Sequence, residues 1–441
     1  MLDGHPTFSV ITLGCRANQY ESNAISGALV KRGFVLFTPD KKTDVCIINT
    51  CAVTQESDRK SKQMIRRAAN LSDHVVVTGC FAEVSKENVQ AIDGVDLVIG
   101  NKNKSAVADA VYDLIVFGRV VASSSDSFEN CDLIRDPKAE RVRTYIKIED
   151  GCDNNCAYCI IPKARGPVRS KSPDIILNEV QSLVSQGVKE IILTGIEISK
   201  YGSDLPCSLQ LVDIIEEISK EERVERISLG SLDPKYLSYD VISRLSSVFK
   251  LTRHFHLSLQ SGCTNTLKAM RRRYNAEQFT EIVETIKTAI PDAMISVDII
   301  AGFPGESQAD FDESVSLLKR IRPLHIHSFP FSQRSGTEAA KMDCQVPGNI
   351  KKERNRILCD LNDSIARSIL ENYVSIHKYH PVMVLCECVE KNIGIGHSEH
   401  YVEVRFHCET DETGNMIKIN TIGIGTDSSG IFIIGEECLE Q

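Results

Sequence analysis

The chain of 441 residues contains no tryptophan, and aromatic residues make up only 6% of it. Basic residues are also in deficit, because 51 Lys and Arg stand against 60 Asp and Glu and give a net charge of −9. This deficit excludes a uniformly basic nucleic-acid coat. Local basic segments do occur, at residues 58–67, 162–171 and 268–274.

Long apolar runs are missing as well. No stretch approaches the roughly 18 consecutive apolar residues that a membrane-spanning helix requires. The N-terminal sequence MLDGHPTFSVITLGC has an acidic start and lacks the apolar core of a signal peptide. We therefore expect a cytoplasmic protein without a membrane partner. Thiols stay reduced in that compartment, so the 16 cysteines predict buried small residues and metal ligands rather than a disulfide framework.

Short apolar runs alternate with helical segments from residue 7 to about residue 120. Such runs predict a parallel sheet that is covered by helices on both faces. Cys15, Cys51 and Cys80 each follow one of these runs directly, in TLGC, INTC and VTGC. The carboxyl ends of parallel strands meet at one edge of a sheet. We therefore expect the three cysteines to converge on a shared metal or catalytic site.

The strand–helix alternation restarts near residue 143, and six further units predict a partial parallel barrel. A charged helical segment at residues 351–374 follows it. From about residue 380, short β-runs separated by Gly, Asn and Asp predict a small antiparallel β-barrel. We thus predict an α/β protein with domains at residues 5–122, 138–372 and 373–441.

Cys152, Cys156 and Cys159 lie together on the loop after the first strand of the second block, and the following forty residues contain no further Cys or His. Thiolates at this spacing suit one soft metal centre. A structural zinc would need four ligands, whereas three ligands on a [4Fe–4S] cluster leave one iron open, as in reactive metal sites. An incidental cysteine-rich loop and a zinc site completed from elsewhere stay open as alternatives.

The spacing Cys152-x3-Cys156-x2-Cys159, with Tyr158 before the last cysteine, resembles the signature of the radical S-adenosylmethionine (SAM) enzymes. Further segments, in order, extend the resemblance over nearly the whole chain: LGCRANQYES, NTCAVTQESDRKSKQMIRRA, HLSLQSGCTNTLKAMRRRY, DIIAGFPGE and SQRSGTEAA. Together they are similar to the methylthiotransferases. The segments DRKSKQMIRRA and YCIIPKARGPVRS are most similar to those that act on threonylcarbamoyladenosine in tRNA.

The resemblance implies an N-terminal methylthiotransferase domain with an open parallel sheet, a central partial (β/α)6 radical SAM barrel and a C-terminal TRAM β-barrel. It implies two [4Fe–4S] clusters, an auxiliary one on Cys15, Cys51 and Cys80 and a catalytic one on the three-cysteine loop. SAM is then both radical source and methyl donor. The expected substrate is N6-threonylcarbamoyladenosine at position 37 in the tRNA anticodon loop, and the product is its 2-methylthio derivative. The expected reductant is a flavodoxin or a ferredoxin, and the sulfur donor is not specified.

Several single residues are expected to bind cofactor or substrate. Glu197 follows the second barrel strand and is expected to accept the SAM amino group, with a solvated loop carboxylate as the alternative. Arg165 and Arg169 are expected to contact tRNA phosphates or the threonylcarbamoyl carboxylate, because arginine suits bidentate anion contacts; ordinary surface arginines are the alternative. His325 and His327 alternate on a strand, where packing in the core is favoured. The further SAM-binding positions are Tyr158, Gly195, Gln260, Asp298, Gly302 and Pro304.

The expected RNA-binding domain is itself acidic. Residues 373–441 carry four Lys and Arg against eleven Asp and Glu, whereas phosphate contacts normally use Lys and Arg. Two related substrates therefore stay open, an isopentenyladenosine of tRNA and an aspartate of a ribosomal protein. A third alternative, a non-enzymatic iron–sulfur scaffold or electron carrier, predicts clusters closed by four cysteines.

Overall fold

The computed structural model describes residues 4–119, 142–206, 209–428 and 430–438. The predicted domain boundaries at residues 122 and 138 lie outside these ranges. None of the helices in the described ranges combines the length and the apolar character that crossing a bilayer would require.

The first block is a five-stranded parallel sheet with helices packed against it. Its strands are β1 (Thr7–Thr12), β2 (Val35–Phe37), β3 (Thr43–Thr50), β4 (Ser72–Gly79) and β5 (Leu97–Ile99). Its helices are α1 (Arg16–Lys31), α2 (Gln55–Ala69), α3 (Cys80–Val84), α4 (Lys86–Gln90) and α5 (Val107–Phe117). The strand order is β2-β1-β3-β4-β5, so β3 is central. This position explains its run of buried apolar residues without polar alternation.

The central block contains the six predicted parallel strands. They are β6 (Arg143–Lys147), β9 (Glu190–Thr194), β10 (Arg226–Leu229), β11 (His254–Gln260), β12 (Met294–Ala301) and β13 (His325–Pro330). A short antiparallel pair, β7 (Glu149–Asp150) and β8 (Arg169–Ser170), flanks the cysteine loop. The helices are α6 (Ile161–Arg165), α7 (Pro173–Ser185), α8 (Leu211–Ser219), α9 (Tyr239–Ser246), α10 (Thr264–Ala269), α11 (Ala276–Ala289) and α12 (Gln308–Ile321).

These six strands form two parallel sheets, β10-β9-β6 and β11-β12-β13. Isolated bridges between Ile227 and Leu251 and between Leu232 and Leu257 join the two sheets. Side chains of a strand alternate between its faces. On β11, Phe255 and Leu257 therefore enter the apolar core under the helices, while His254 and His256 lie on the opposite face.

The long helix α13 (Gly348–His377) leads into a closed five-stranded barrel. The barrel comprises β14 (Val382–Glu390), β15 (Ile393–Ser398), β16 (Glu403–His407), β17 (Met416–Asp427) and β18 (Gly430–Glu437), closed in the order β14-β15-β16-β18-β17. The prediction of a purely antiparallel barrel is wrong for one pair, because β16 and β18 run parallel.

Two carboxylates of this barrel lie against arginines of the central block. Glu387 Oε1 lies 2.6 Å from Arg143 Nη1, and Glu399 Oε2 lies 3.9 Å from Arg253 Nε. These carboxylates therefore serve contacts within the protein, and the charge of the barrel alone does not decide what it binds.

Candidate active site

Cys152, Cys156 and Cys159 line a single cavity of about 250 Å³ at the carboxyl ends of the central strands. The β7–β8 pair closes the base of their loop, and the Cys152 N–H donates to the Gly166 carbonyl at 3.0 Å. The helix α6 begins two residues after Cys159. The loop is thus fixed at both ends, and its three thiols face one space.

Neither Cys152 nor Cys159 is a thiolate without a bound cation. Burial raises the pKa of each thiol to about 12. Cys156 Sγ accepts a hydrogen bond from Arg272 Nη1 at 3.5 Å. A metal centre deprotonates the thiols that coordinate it. Three buried thiols on one cavity wall therefore fit an iron–sulfur cluster, whose usual ligand is the cysteine thiolate.

The same cavity is also lined by a carboxyl group suited to a cationic ligand. Glu197 follows β9, and its Oε1 atom is buried without a hydrogen-bond partner among the described residues. Burial raises the pKa of Glu197 to about 7. Its backbone N–H and that of Ile196 donate to Glu149 Oε2 at 2.8 and 2.9 Å, which holds the loop in place. An ammonium group in the cavity would satisfy the unpartnered oxygen.

The other predicted SAM-binding positions divide into two groups. Tyr158, Gln260 and Asp298 line the cavity with the cysteines. Gly195 is not among the lining residues and packs against the loop, because a Cβ there would lie 2.8 Å from Glu149 Oε2; its contact with SAM stays a prediction. Gly302 and Pro304 are not among the lining residues, and their contact with SAM stays a prediction. Gly302 adopts a φ of +76°, so the tight turn after β12 itself requires glycine.

Arg272 is a buried member of the site that sequence reasoning missed. Its Nη2 atom donates to Asp233 Oδ2 at 3.2 Å and to Ser258 Oγ at 3.1 Å. It lies in the basic run RRRY, whose other arginines, Arg271 and Arg273, are exposed. The sequence shows this basic run, but no feature of the run indicates that Arg272 rather than Arg271 or Arg273 enters the site.

Cys15, Cys51 and Cys80 are neighbours, as their placement after β1, β3 and β4 predicts. Gly14 has a φ of +100°, and a Cβ there would lie 2.7 Å from Cys51 Cβ, so the loop before Cys15 lies directly against Cys51. Burial and then the nearby Cys80 and Cys15 raise the pKa of Cys51. Asn101 Nδ2 donates to Cys80 Sγ at 3.5 Å. This second set again offers thiols only, the donor type of an iron–sulfur cluster.

No group of three or more His, Cys, Asp or Glu side chains in the described ranges is arranged around a single-ion site. The fit of both cysteine sets to clusters rests on donor type, burial and convergence. Ligation of a cluster by the six cysteines stays a prediction.

The prediction that Arg165 contacts tRNA phosphates or the threonylcarbamoyl carboxylate is wrong, because its side chain is fully buried. Its Nη1 donates to Glu21 Oε1 at 2.7 Å and to Asp150 Oδ1 at 2.9 Å, and its Nη2 donates to Asn18 Oδ1 at 2.5 Å. Arg165 therefore ties α6 to α1, next to Cys15. Arg169 Nη1 donates to the Arg165 and Pro167 carbonyls, both at 2.7 Å, and its contact with RNA stays a prediction.

The helix α6 connects the two cysteine sets. It follows Cys159 directly, and its Ala164 carbonyl accepts a hydrogen bond from Asn101 Nδ2 at 2.8 Å. The same amide group lies against Cys80. The helix α6 thus lies next to both cysteine sets.

Comparisons with known proteins agree with this geometry. Residues 7–100 match the model described as Uncharacterized protein family UPF0004, and residues 146–318 match that of the Radical SAM superfamily. The chain is 34% identical to the threonylcarbamoyladenosine tRNA methylthiotransferase MtaB of Bacillus subtilis (strain 168), over 95% of this chain and 94% of the relative. It is also 34% identical to a tRNA-2-methylthio-N(6)-dimethylallyladenosine synthase of Caldicellulosiruptor saccharolyticus, over 82% of this chain and 78% of the relative.

Among solved structures, the radical S-adenosylmethionine methyltransferase TsrM from Kitasatospora setae aligns with a TM-score of 0.53. The alignment covers 74% of this chain and 72% of that one at 13% identity, which shows a shared fold alone. The identity and coverage of the sequence relatives go further. They show that the chain belongs to the tRNA methylthiotransferases of the radical SAM superfamily.

Proposed function

We propose that this protein converts N6-threonylcarbamoyladenosine at position 37 of tRNA into its 2-methylthio derivative. The observation that carries the proposal is the pair of three-cysteine sets, which α6 holds next to each other. A scaffold or electron carrier would instead close each cluster with a fourth cysteine. The threonylcarbamoyladenosine relatives, 32–36% identical to this chain, support the substrate.

We assign one [4Fe–4S] cluster to Cys15, Cys51 and Cys80, and a second to Cys152, Cys156 and Cys159. When bound, the second cluster and SAM supply the radical chemistry that an adenine C2–H bond requires, because this bond is not acidic enough for base catalysis. Glu197 accepts the SAM ammonium group in this assignment, and Tyr158, Gln260 and Asp298 shape the rest of the pocket. Arg272 balances the charge of the thiolate at Cys156.

The proposal also assigns a role to each of three domains. Residues 5–122 form the methylthiotransferase domain, residues 138–372 the partial (β/α)6 radical SAM barrel, and residues 373–441 the TRAM domain. The two adjoining three-stranded parallel sheets and the closed C-terminal barrel support this division.

The proposed partners are the anticodon loop of tRNA and a reducing protein such as a flavodoxin or ferredoxin in the cytoplasm. Exposed basic residues on α2 and next to α10 are suited to phosphates: Lys60, Arg66, Arg67, Lys268, Arg271 and Arg273. The acidic charge of the C-terminal barrel favoured a ribosomal protein as substrate. Two of its carboxylates, Glu387 and Glu399, lie against Arg143 and Arg253 of the central block. That observation weakens the charge argument for the alternative, although most acidic residues in the described part of the barrel are not paired in this way.

Mass spectrometry of tRNA nucleosides from a strain that lacks this protein tests the proposal. We expect 2-methylthio-N6-threonylcarbamoyladenosine to disappear and its unmodified precursor to accumulate. Loss of the 2-methylthio derivative of isopentenyladenosine instead would assign the other tRNA substrate. Unchanged tRNA nucleosides would contradict a tRNA substrate altogether.

A further inference from the structure

A cavity of about 230 Å³ lies beside Cys15, between the start of α1 and β6. Arg16, Arg143 and Tyr145 line it, with polar and small residues and without any Asp or Glu. It is thus a basic space next to a proposed ligand of the auxiliary cluster.

Arg16 differs from the other arginines of this region. Arg143 is paired with Glu387, and Arg165 is paired with Glu21 and Asp150. Arg16 forms no ion pair within the described residues. Its contacts are a hydrogen bond from Nη2 to the Tyr401 hydroxyl at 3.2 Å and a position 5.7 Å from the centre of the Tyr145 ring. A half-buried guanidinium with only neutral partners is suited to an incoming anion.

Arg16 also faces the strands that carry the SAM cavity. Its charge is among the causes that lower the pKa of His327, after burial and the neighbouring His256. The His256 ring lies 4.9 Å from that of His327, and its Nε2 atom lies 3.0 Å from Asp298 Oδ1, which lines the cavity. The side chain of His327 is exposed, so the prediction that it packs in the core is wrong. Arg16, which follows Cys15 in the chain, therefore lies near the face of β11 and β13 that carries His256 and His327.

The C-terminal barrel holds Arg16 in this position. Tyr401 lies between β15 and β16, and its φ of +62° is unusual for a residue other than glycine. Its ring stacks between His254 and His397, with centroid distances of 4.7 and 4.9 Å. A strained conformation persists where the surrounding structure enforces it, and it is frequent at ligand sites. Here it places the hydroxyl against Arg16.

We propose that Arg16 binds the carboxylate of the threonylcarbamoyl group and selects this substrate over dimethylallyladenosine. The inference rests on the function proposed above. The two substrates in the names of the relatives differ at the same nitrogen, because one substituent carries a carboxylate and the other is an uncharged hydrocarbon. Arginine binds a carboxylate through two parallel hydrogen bonds and gains nothing from a hydrocarbon.

The test measures dissociation constants of the anaerobically reconstituted protein for three anticodon stem-loop RNAs. They carry threonylcarbamoyladenosine, its methyl ester or plain adenosine at position 37. We expect the wild-type protein to prefer the free carboxylate by about tenfold or more over both other RNAs. Arg16→Gln should reduce this preference to less than about twofold while its affinity for the plain adenosine RNA stays unchanged.

Arg32→Gln is the matched control, because Arg32 follows the other end of α1 and pairs with Asp109 on the surface. It should retain the full preference. Arg16→Lys provides a second test if the Gln variant does not fold, and should retain only part of the preference since lysine lacks the two-pronged geometry. A full preference in either Arg16 variant, or none in the wild-type protein, would overturn the inference. Nucleoside analysis distinguishes failure of this inference from failure of the proposed function. If only the inference about Arg16 fails, the 2-methylthio product still forms.

Discussion

Glu21 is the residue around which the charges between the first two domains are arranged. It is fully buried on α1 and accepts hydrogen bonds from Lys104, Lys147 and Arg165, which come from three different elements. Burial would raise the pKa of Glu21, but the three cations together lower it well below its usual value. Its ionised form therefore stabilises the packing of α1 against β6 and α6, next to Cys15.

Glu21→Gln should destabilise the protein by about 3–5 kcal/mol, because it leaves buried cations without their counter-charge. The folded-state pKa is depressed, so the stabilisation is present above pH about 4.3 and is lost as the pH falls below that value. Denaturant unfolding at pH 7 and pH 4 should thus show a larger loss of stability on acidification for the wild-type protein than for the variant. Glu56→Gln, on the exposed side of α2, is the control and should change little. Equal pH dependence of the wild-type protein and Glu21→Gln would contradict this account.

Glu197→Gln should weaken SAM binding by about tenfold, because a neutral amide replaces the charged acceptor of the ammonium group. Isothermal titration of SAM into the reconstituted protein measures this effect. The control is Glu217→Gln, since Glu217 pairs with Lys220 on the surface of α8. Unchanged SAM affinity in Glu197→Gln would remove Glu197 from the cofactor site.

Sequence reasoning found the six cysteines but not the partners of the arginines. A cysteine that directly follows a predicted strand can be placed at the edge of the sheet from the local sequence pattern alone. Arg165 is buried by Glu21 and Asn18, which lie 144 and 147 positions away in the chain. Such burial depends on how domains dock, and no local pattern encodes it. For the same reason, the positions of Arg16 and Arg272 could not be predicted from the sequence.

The helix α2 presents the most exposed basic surface next to the cysteines. Arg66 and Arg67 lie on its solvent-facing side, whereas Ile65 and Ala68 pack in the core. The helix begins four residues after Cys51, and Arg66 and Arg67 lie in its last turn, about 17 Å farther along the helix axis. An RNA that reaches the site and extends along α2 can contact this face.

Replacing Arg66 and Arg67 by glutamine together should weaken tRNA binding and reduce the salt dependence of log K by roughly 1 to 2 units, because each lost phosphate contact removes counterion release. Fluorescence anisotropy at several salt concentrations measures both quantities. The matched control is the double variant Lys220→Gln and Arg223→Gln. Both residues precede β10 at the amino ends of the central strands, so this variant should leave the salt dependence of log K unchanged. Equal slopes in both double variants would exclude α2 from the RNA interface.

The sequence predicts most of the helices and strands but not the shortest ones. Segment 55–69 forms α2 as its pattern predicts, and all six central strands are present. The edge strand β2 has only three residues, too few to show a period. The pair β7–β8 consists of two residues on each side and forms because the cysteine loop brings its own ends together. Between β4 and β5, where the strand–helix alternation predicts one helical segment, the chain forms two short helices, α3 and α4, divided at Ser85.

In the proposed function, all three parts of the chain contribute to substrate binding. The first contributes Cys15 and Arg16, the second contributes the cavity of Cys152, Cys156 and Cys159, and the third contributes Tyr401. Removal of the C-terminal barrel should thus affect substrate selection as well as RNA affinity. The sequence predicts three domains, but the contact of Tyr401 with Arg16, 385 positions apart, depends on the assembled fold and has no local sequence signal.

Iron and sulfide analysis tests whether both cysteine sets hold clusters. The reconstituted protein should contain about eight irons per chain, and about four after Cys15, Cys51 and Cys80 are all replaced by alanine. Cys359→Ala, on the exposed side of α13, is the control and should retain the full content. Cluster content that persists after all six replacements would rule out the assignment.

The most direct measurement is mass spectrometry of nucleosides from a threonylcarbamoyladenosine-containing tRNA incubated with reconstituted protein, SAM and a reductant. We expect the 2-methylthio product with the wild-type protein, and none with either Cys15→Ala or Cys152→Ala. Product formation by either variant, or its absence with a wild-type protein that holds both clusters, would contradict the central claim that two open cysteine sets act together on one adenosine.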